Sequence, residues 1–203
     1  MTIVYKKCVA DGGIPEYMCD PCVNAEHGRV RSVAFIDKSL KDLLEAVSGT
    51  PGTKNVESKT WWETQIQAGL IIVVPTTRGT YDGGTPNMVT GFGDKKEMKS
   101  SKTHVTVFND PNHTGNDDFY QSLEDNAENF LLAWRTESEL RVANETLSTV
   151  DAKDAVEEDI DSFVVWSVTC TWDQRGSKKN VPIYNLGEVK DVFYCIDEEG
   201  STP

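Results

Sequence analysis

The alternation of apolar and polar positions is strongest between residues 162 and 172, SFVVWSVTCTW. Val164, Trp166, Val168 and Trp172 fall on one parity together with Cys170, while the other parity changes from apolar to hydroxyl-bearing side chains. A period of two over this length, with β-branched and aromatic residues, is typical of a strand with one buried face. Such a strand needs a sheet beside it and a second layer over it, so we expect the rest of the chain to supply both.

The remaining apolar patterns predict mostly short strands. They fall at residues 2–8, 29–37, 70–75, 103–108, 129–142 and 147–150, and within 181–195. Helical spacing occurs at residues 39–47, 60–68 and 116–127. Because strands dominate and helices do not alternate with them, we predict a mainly β protein with a flanking helix. We expect an antiparallel β-sandwich or barrel-like sheet, in one β-rich domain over residues 1–203.

Residues 76–102 interrupt this pattern with glycines at 79, 83, 84, 91 and 93. We predict an extended glycine-rich loop, which is too long for a hairpin turn and too poor in apolar residues to build a core. Tyr81, Met88 and Phe92 are its candidate anchors on a neighbouring subunit, because aromatic and Met side chains are enriched at interface centres. The alternative is a mobile surface loop in a monomer.

Composition and charge narrow the function classes. The chain has 203 residues, 38% of them hydrophobic, and a formal net charge of −13. Such a chain can bury a core, but it repels DNA rather than binding it by counterion release. The sequence has no apolar run of the ~20 residues that span a bilayer and no recognisable secretory signal, so we expect a protein made in a cytoplasm.

A possible metal site lies in the N-terminal segment, residues 1–28. Cys19 and Cys22 are separated by two residues, Cys8 precedes them, and His27 follows. Three thiolates and one imidazole would close a tetrahedral structural zinc site and hold a segment rich in Gly and Pro. Reduced, merely packed thiols or a redox dithiol are the alternatives.

Other candidate chemistry has simpler interpretations. Cys170 and Cys195 lie in apolar strand contexts and are expected to be buried small hydrophobes. The carboxylates between residues 154 and 161 are typical of a solvated face. Trp61 and Trp62 could stack on a sugar or a base, although core or interface positions are more common. The sequence carries no nucleophile–base pattern or open metal site, so we do not expect an enzyme.

The order of these pieces resembles that in structural proteins of tailed bacteriophages that build tail tubes and connecting rings. The order is a Cys-bearing N-terminal strand, RVRSVAFID, WWETQIQAG, a Gly-rich loop ending in GFGD, THVTVF, NDDFYQSLED, NFLLAWRTESEL and SFVVWSVTCTW. The resemblance extends to virion proteins of crAss-like and related phages of gut bacteria. It implies a β-sandwich with a flanking helix, repeated as a homo-oligomeric ring around the DNA path in the virion and assembled in the host cytoplasm. It implies other virion proteins as partners, and no catalytic residues.

The strong negative charge fits this resemblance on physical grounds. An acidic channel lets DNA slide without sticking, because like charges repel the phosphates. The competing hypothesis is a binding module, either a zinc-stabilised adaptor or a carbohydrate- or host-binding sandwich that uses Trp61, Trp62 and the Gly-rich loop.

Overall fold

A computed structural model describes residues 28–47, 53–75, 77–94, 97–155, 164–175 and 180–194. The strands are β1 (Ser32–Asp37), β2 (Ile71–Val74), β3 (Arg78–Tyr81), β4 (Thr85–Thr90), β5 (Glu97–Asp110), β6 (Phe130–Arg135), β7 (Glu139–Val142), β8 (Thr149–Ala155), β9 (Val165–Gln174) and β10 (Ile183–Asn185). The α-helices are α1 (Lys59–Gln67) and α2 (Asp117–Asp125), and 3-10 helices span Lys38–Leu43, Asn55–Glu57, Ala127–Asn129 and Gly187–Phe193.

The strands form two antiparallel sheets. The first has the order β3-β5-β9-β8, with β4 also paired to β5, and the second has the order β10-β7-β6-β1-β2. The prediction of a mainly β, antiparallel sandwich-like fold is therefore confirmed. Neither sheet closes into a barrel within the described part of the chain.

One core cluster fills the space between the two sheets. It combines Phe35 and Trp134 of the second sheet with Phe108 and Trp172 of the first. Strand β9 alternates half-buried and buried residues along its whole length, as the period of two predicts. Trp166, Val168, Cys170 and Trp172 are its buried face.

The predicted burial of Val164 is wrong, since this side chain is 45% exposed. The physical reason is where the strand begins. Regular pairing starts only at Val165, which lies opposite Ala155, so Val164 precedes the strand and lies outside the core.

A second core cluster covers the opposite face of the β10-β7-β6-β1-β2 sheet. Ala34, Ile36, Leu131 and Ala133 point to this side, where Trp62 of α1 and the 3-10 helix Gly187–Phe193 pack. This sheet is therefore buried on both faces, and β1 shows buried residues at five consecutive positions. Trp62 is fully buried, and its indole Nε1 donates a 2.9 Å hydrogen bond to the carbonyl of Val56.

Several predicted elements differ from the observed ones. Residues 76–102 contain β3, β4 and the start of β5 where the glycines predicted a loop, because the backbone pairs with β5 despite the turn residues. The helix predicted at residues 39–47 is a 3-10 helix over Lys38–Leu43, and it is capped by Asp37 rather than by Ser39. Residues 129–142 form a hairpin of β6 and β7 instead of one strand.

Some predictions lie outside the described residues. These are the strand at 2–8, the set Cys8, Cys19, Cys22 and His27, the thiol of Cys195, and the carboxylates at positions 157–161. In the described ranges, none of the helices combines the length and apolar character that crossing a bilayer requires.

Candidate assembly surface

Strand β4 and the first residues of β5 form a two-stranded extension of the sandwich, which we call the arm (β4, the turn that follows it, and residues 97–101 of β5). Strand β5 has 14 residues, and only Lys102 to Asp110 pair with β9. Within the described chain, residues 97–101 have β4 as their one strand partner. Neither core cluster draws a described side chain from the arm.

The exposed apolar side chains of the arm are unusual for a solvated hairpin. Met88 is 52% exposed, Val89 44% and Phe92 85%. Aromatic and Met side chains contribute disproportionately to the centres of protein interfaces. An isolated two-stranded hairpin is also marginally stable in water, and these described residues add no contact to either core cluster that would stabilise it.

Polar contacts fix the base of the arm. The Nδ2 group of Asn87 donates hydrogen bonds of 2.9 Å to Oγ of Ser101 and 2.8 Å to Oγ1 of Thr103. The register of the two strands shifts between Asn87 and Met88, which is a β-bulge. Because bulges bend and twist a strand, we expect this one to change the direction of the arm just outside the sandwich.

The turn that leads into β4 is held by Asp82 and by a close glycine contact. Oδ1 of Asp82 accepts hydrogen bonds from the backbone N–H groups of Gly84, at 2.8 Å, and Val105, at 3.0 Å. Gly84 has φ of +81°, and a Cβ atom at this position would lie 2.4 Å from Nδ1 of His104. Only glycine fits both the backbone conformation and the space.

Tyr81, His104 and Trp172 stack at this base. The Tyr81 hydroxyl and Nδ1 of His104 are 2.7 Å apart, and the His104 and Trp172 ring centroids are 5.3 Å apart. His104 is fully buried. Burial, followed by the charge of Asp82, raises the pKa of Tyr81 to about 12, and nearby Arg141 opposes this shift. The stack therefore attaches the arm to the core between the sheets.

The three predicted anchors are not brought together. Tyr81 lies opposite Thr106 and packs against the core, whereas Met88 lies opposite Lys99, seven positions away along β5. Tyr81 thus stabilises the base of the arm, and Met88 and Phe92 lie on the exposed part. An interface role for them stays a prediction. The sequence analysis did not identify Val89 as an exposed apolar residue of the arm or Asn87 as the residue that fixes its base. Alternation within TPNMVT is a weak strand signal that could have indicated β4.

The other end of β5 meets α2. Asp110, the last residue of β5, accepts a 2.7 Å hydrogen bond from the hydroxyl of Tyr120. Tyr120 also packs its ring against Trp166, with centroids 4.9 Å apart. Burial and the bond to Asp110 raise the pKa of Tyr120. Helix α2 is therefore fixed to the sandwich at the end opposite the arm.

The described part of the molecule gives the remaining candidate groups structural roles. Cys170 is a buried free thiol, and burial raises its pKa, which makes it unreactive and confirms its interpretation as a small hydrophobe. Trp62 is a core residue, so it is not available to stack on a ligand. The described residues hold no group of three or more His, Cys, Asp or Glu side chains arranged for a metal ion.

Comparison with protein-family models and with curated proteins found no match to this chain.

Proposed function

We propose that this chain is a structural protein that assembles with copies of itself, as a tail or connector ring around the DNA path of a bacteriophage particle. The observation that carries the proposal is the arm, which extends beyond the sandwich and exposes Met88, Val89 and Phe92. The virion assignment rests on the order of sequence elements described above. Other virion proteins would be the further partners.

The shape of the arm favours a contact between subunits over a ligand site. Its exposed apolar side chains lie on a two-stranded ribbon and in the turn after β4, whereas small-molecule sites are concave. Apolar patches of this kind mark protein interaction sites when they occur on soluble domains. A contact that uses the arm on one copy and a different surface on the next is heterologous, and it closes into a ring when the rotation allows.

The charge of the chain fits passage of DNA without specific binding. A net charge of −13 makes the average surface repulsive to phosphates. Specific or non-specific DNA binding would need clustered Lys and Arg to release counterions. The proposed ring would therefore guide DNA by exclusion.

The test is the oligomeric state of the purified chain and of an arm-shortened variant. Replacing residues 88–100 by an Asn-Gly turn joins Asn87 to Ser101, which are already register partners, and keeps the core and the Tyr81 stack. We expect rings or tubes of the parent in electron microscopy and native mass spectrometry, and a folded monomer of the variant. Circular dichroism checks that the variant is folded.

A matched pair of point variants separates the arm from general surface hydrophobicity. Phe92→Ser removes the most exposed aromatic of the arm, and Ile183→Ser removes a 55% exposed apolar side chain on β10. Only the first is expected to weaken assembly. A monomeric parent would overturn the proposal, as would a shortened variant that forms the parent's oligomer.

A further inference from the structure

One edge of the arm has no neighbouring strand in the described part of the chain. Lys102 and Thr103 of β5 pair with β4 and also with β9, so β4 and β9 lie on opposite sides of β5. The pairing with β9 ends at Lys102, whereas β4 continues along β5 as far as Glu97. On the β9 side of residues 97–101, the described chain therefore places no strand, and such an edge is a template for pairing with another chain.

The side chains of the arm are divided between its two faces. Val89 lies directly opposite Met98, so these two apolar residues share one face. Met88 lies opposite Lys99 on the other face. Glu97 shares the face of Lys99, because the two residues are two positions apart on one strand. The exposed Glu97 and Lys99 thus flank the half-buried Met98 with opposite charges.

We propose that two copies of this chain pair their β5 edges in antiparallel fashion, with the two-fold axis at Met98. Glu97 of each copy then lies opposite Lys99 of the other copy, which gives two pairs of opposite charge on one face. On the other face the two Met98 side chains meet, and Val89 of each copy extends this apolar row. Cross-strand pairs of opposite charge and of apolar side chains both stabilise a sheet.

The charges of the arm favour this register over its neighbours. An axis at Lys99 would place two lysines directly opposite each other, and an axis at Glu97 would do the same with two glutamates. Like charges in these positions are destabilising. Asp94, the other charged residue of the described arm, lies in the turn outside this segment. Charge complementarity therefore selects a second copy as the occupant of the edge, since reversing the direction of the strand exchanges Glu97 and Lys99.

Pairing would also complete the arm as a sheet. Two joined arms form four strands in the order β4-β5-β5-β4, and three or more strands with an apolar face are far more stable than an isolated pair. This contact goes beyond the proposed ring contact, because it is isologous and closes with two copies. Strand β4 lies on the outside of the joined sheet, so its outer edge stays available to further copies. A ring would then be built from pairs of chains.

The experiment is disulfide cross-linking of the full chain at the proposed axis. Met98→Cys places two thiols at directly opposite positions, whose Cα atoms in an antiparallel pair are about 4.5–5.5 Å apart and can be bridged. Ser100→Cys is the matched control, because two thiols at this position would lie roughly 13 Å apart along the strands. After mild oxidation we expect a disulfide-linked dimer of the first variant only, with the linked peptide identified by mass spectrometry. The parent, oxidised in the same way, shows the contribution of the native thiols.

Charge reversal in the Met98→Cys background tests the register. Glu97→Lys or Lys99→Glu alone puts like charges in both pairs, so each is expected to abolish the cross-link at position 98. The two reversals combined in one chain, or an equimolar mixture of the two single reversals, should restore it. Asp42→Lys reverses an exposed carboxylate outside the arm and is expected to leave the cross-link unchanged. Circular dichroism checks that every variant is folded.

The outcomes separate this inference from the proposed function. Absence of the cross-link at position 98, or equal cross-linking at positions 98 and 100, overturns the pairing. Single charge reversals that cross-link as well as their background also overturn it. If the parent forms rings and the pairing fails these tests, this inference fails alone. If the chain forms the cross-linked pair and never a ring, the pairing stands and the proposed ring function fails.

Discussion

The hydroxyl of Tyr120 lies 2.7 Å from Oδ2 of Asp110, and this hydrogen bond joins α2 to the last residue of β5. Asp110 is 2% exposed, and its other oxygen accepts the backbone N–H of Asn112 at 2.9 Å. A buried carboxylate depends on such donors, since water is not available to replace them.

Tyr120→Phe removes the hydroxyl donor, so Oδ2 of the buried Asp110 carboxylate loses this hydrogen bond. We expect the free energy of unfolding, measured by urea denaturation, to fall by about 1–3 kcal/mol. In an Asp110→Asn background the same change should cost less, because the amide is neutral. Equal costs in the two backgrounds would show that the hydrogen bond does not carry the effect.

A substitution at Gly84 tests the packing at the base of the arm. Gly84→Ala places a methyl group against the ring of His104, at a backbone position with φ of +81°. Gly115→Ala is the matched control, because its φ is +88° but nothing lies within 4 Å of the added atom. We expect the control to lose about 1–2 kcal/mol for the left-handed conformation alone. Gly84→Ala should lose about 1–3 kcal/mol more for the clash. Equal losses in thermal or urea unfolding would contradict the proposed contact.

Alkaline pH should destabilise the Tyr81 stack. The pKa of Tyr81 rises from 10.0 to about 12 on folding, chiefly through burial. Its contribution to stability is therefore complete below pH 10 and is lost as the pH rises through the folded-state value. The difference in unfolding free energy between the parent and Tyr81→Phe should be constant well below pH 10.0 and should narrow as the pH rises toward about 12.

Tyrosinate absorbance at 295 nm checks the same point spectroscopically. Burial raises the pKa of Tyr81, Tyr120 and Tyr184, so these three tyrosines should remain protonated beyond pH 10 in the folded protein. Full ionisation of the native protein near pH 10 would contradict the prediction.

The zinc hypothesis has a direct chemical test. Protein purified without chelator should contain about one zinc ion per chain if Cys8, Cys19, Cys22 and His27 form a tetrahedral site. Cys19→Ser with Cys22→Ser should abolish the metal, whereas Cys170→Ala should retain it, because Cys170 is buried in the sandwich core. Metal-free parent protein, or metal retained by the double variant, would exclude this site.

The sequence predicted the elements whose periodicity is set by burial. Strand β9 alternates because one face lies in the core, and α2 shows helical spacing because Tyr120 and Leu123 are buried. The fold class followed from the number of such strands. The 3-10 helix Gly187–Phe193 was missed although its buried residues Val189, Val192 and Phe193 have the i, i+3, i+4 spacing of a helix, because β-branched and aromatic residues favour strands.

The arm was harder to predict because no core imposes a pattern on it. Strand β4 is exposed or half-exposed at every position. Its side chains therefore need not alternate between apolar and polar for its backbone to pair with β5. Its flanking glycines favour a loop by local rules. The position of Tyr81 depended on long-range packing with Trp134, at 4.8 Å between ring centroids, which local sequence does not encode.

Because β5 belongs to both the arm and the sandwich, the way it is paired determines how tension would travel through the protein. Nine consecutive residues, Lys102 to Asp110, are paired with β9. The hydrogen bonds of an antiparallel pair run perpendicular to the strands, so a pull along β5 loads them together in shear instead of opening them one at a time. A neighbour that pulls on the arm would therefore work against the whole β5–β9 ladder, and this architecture suits a part under mechanical stress.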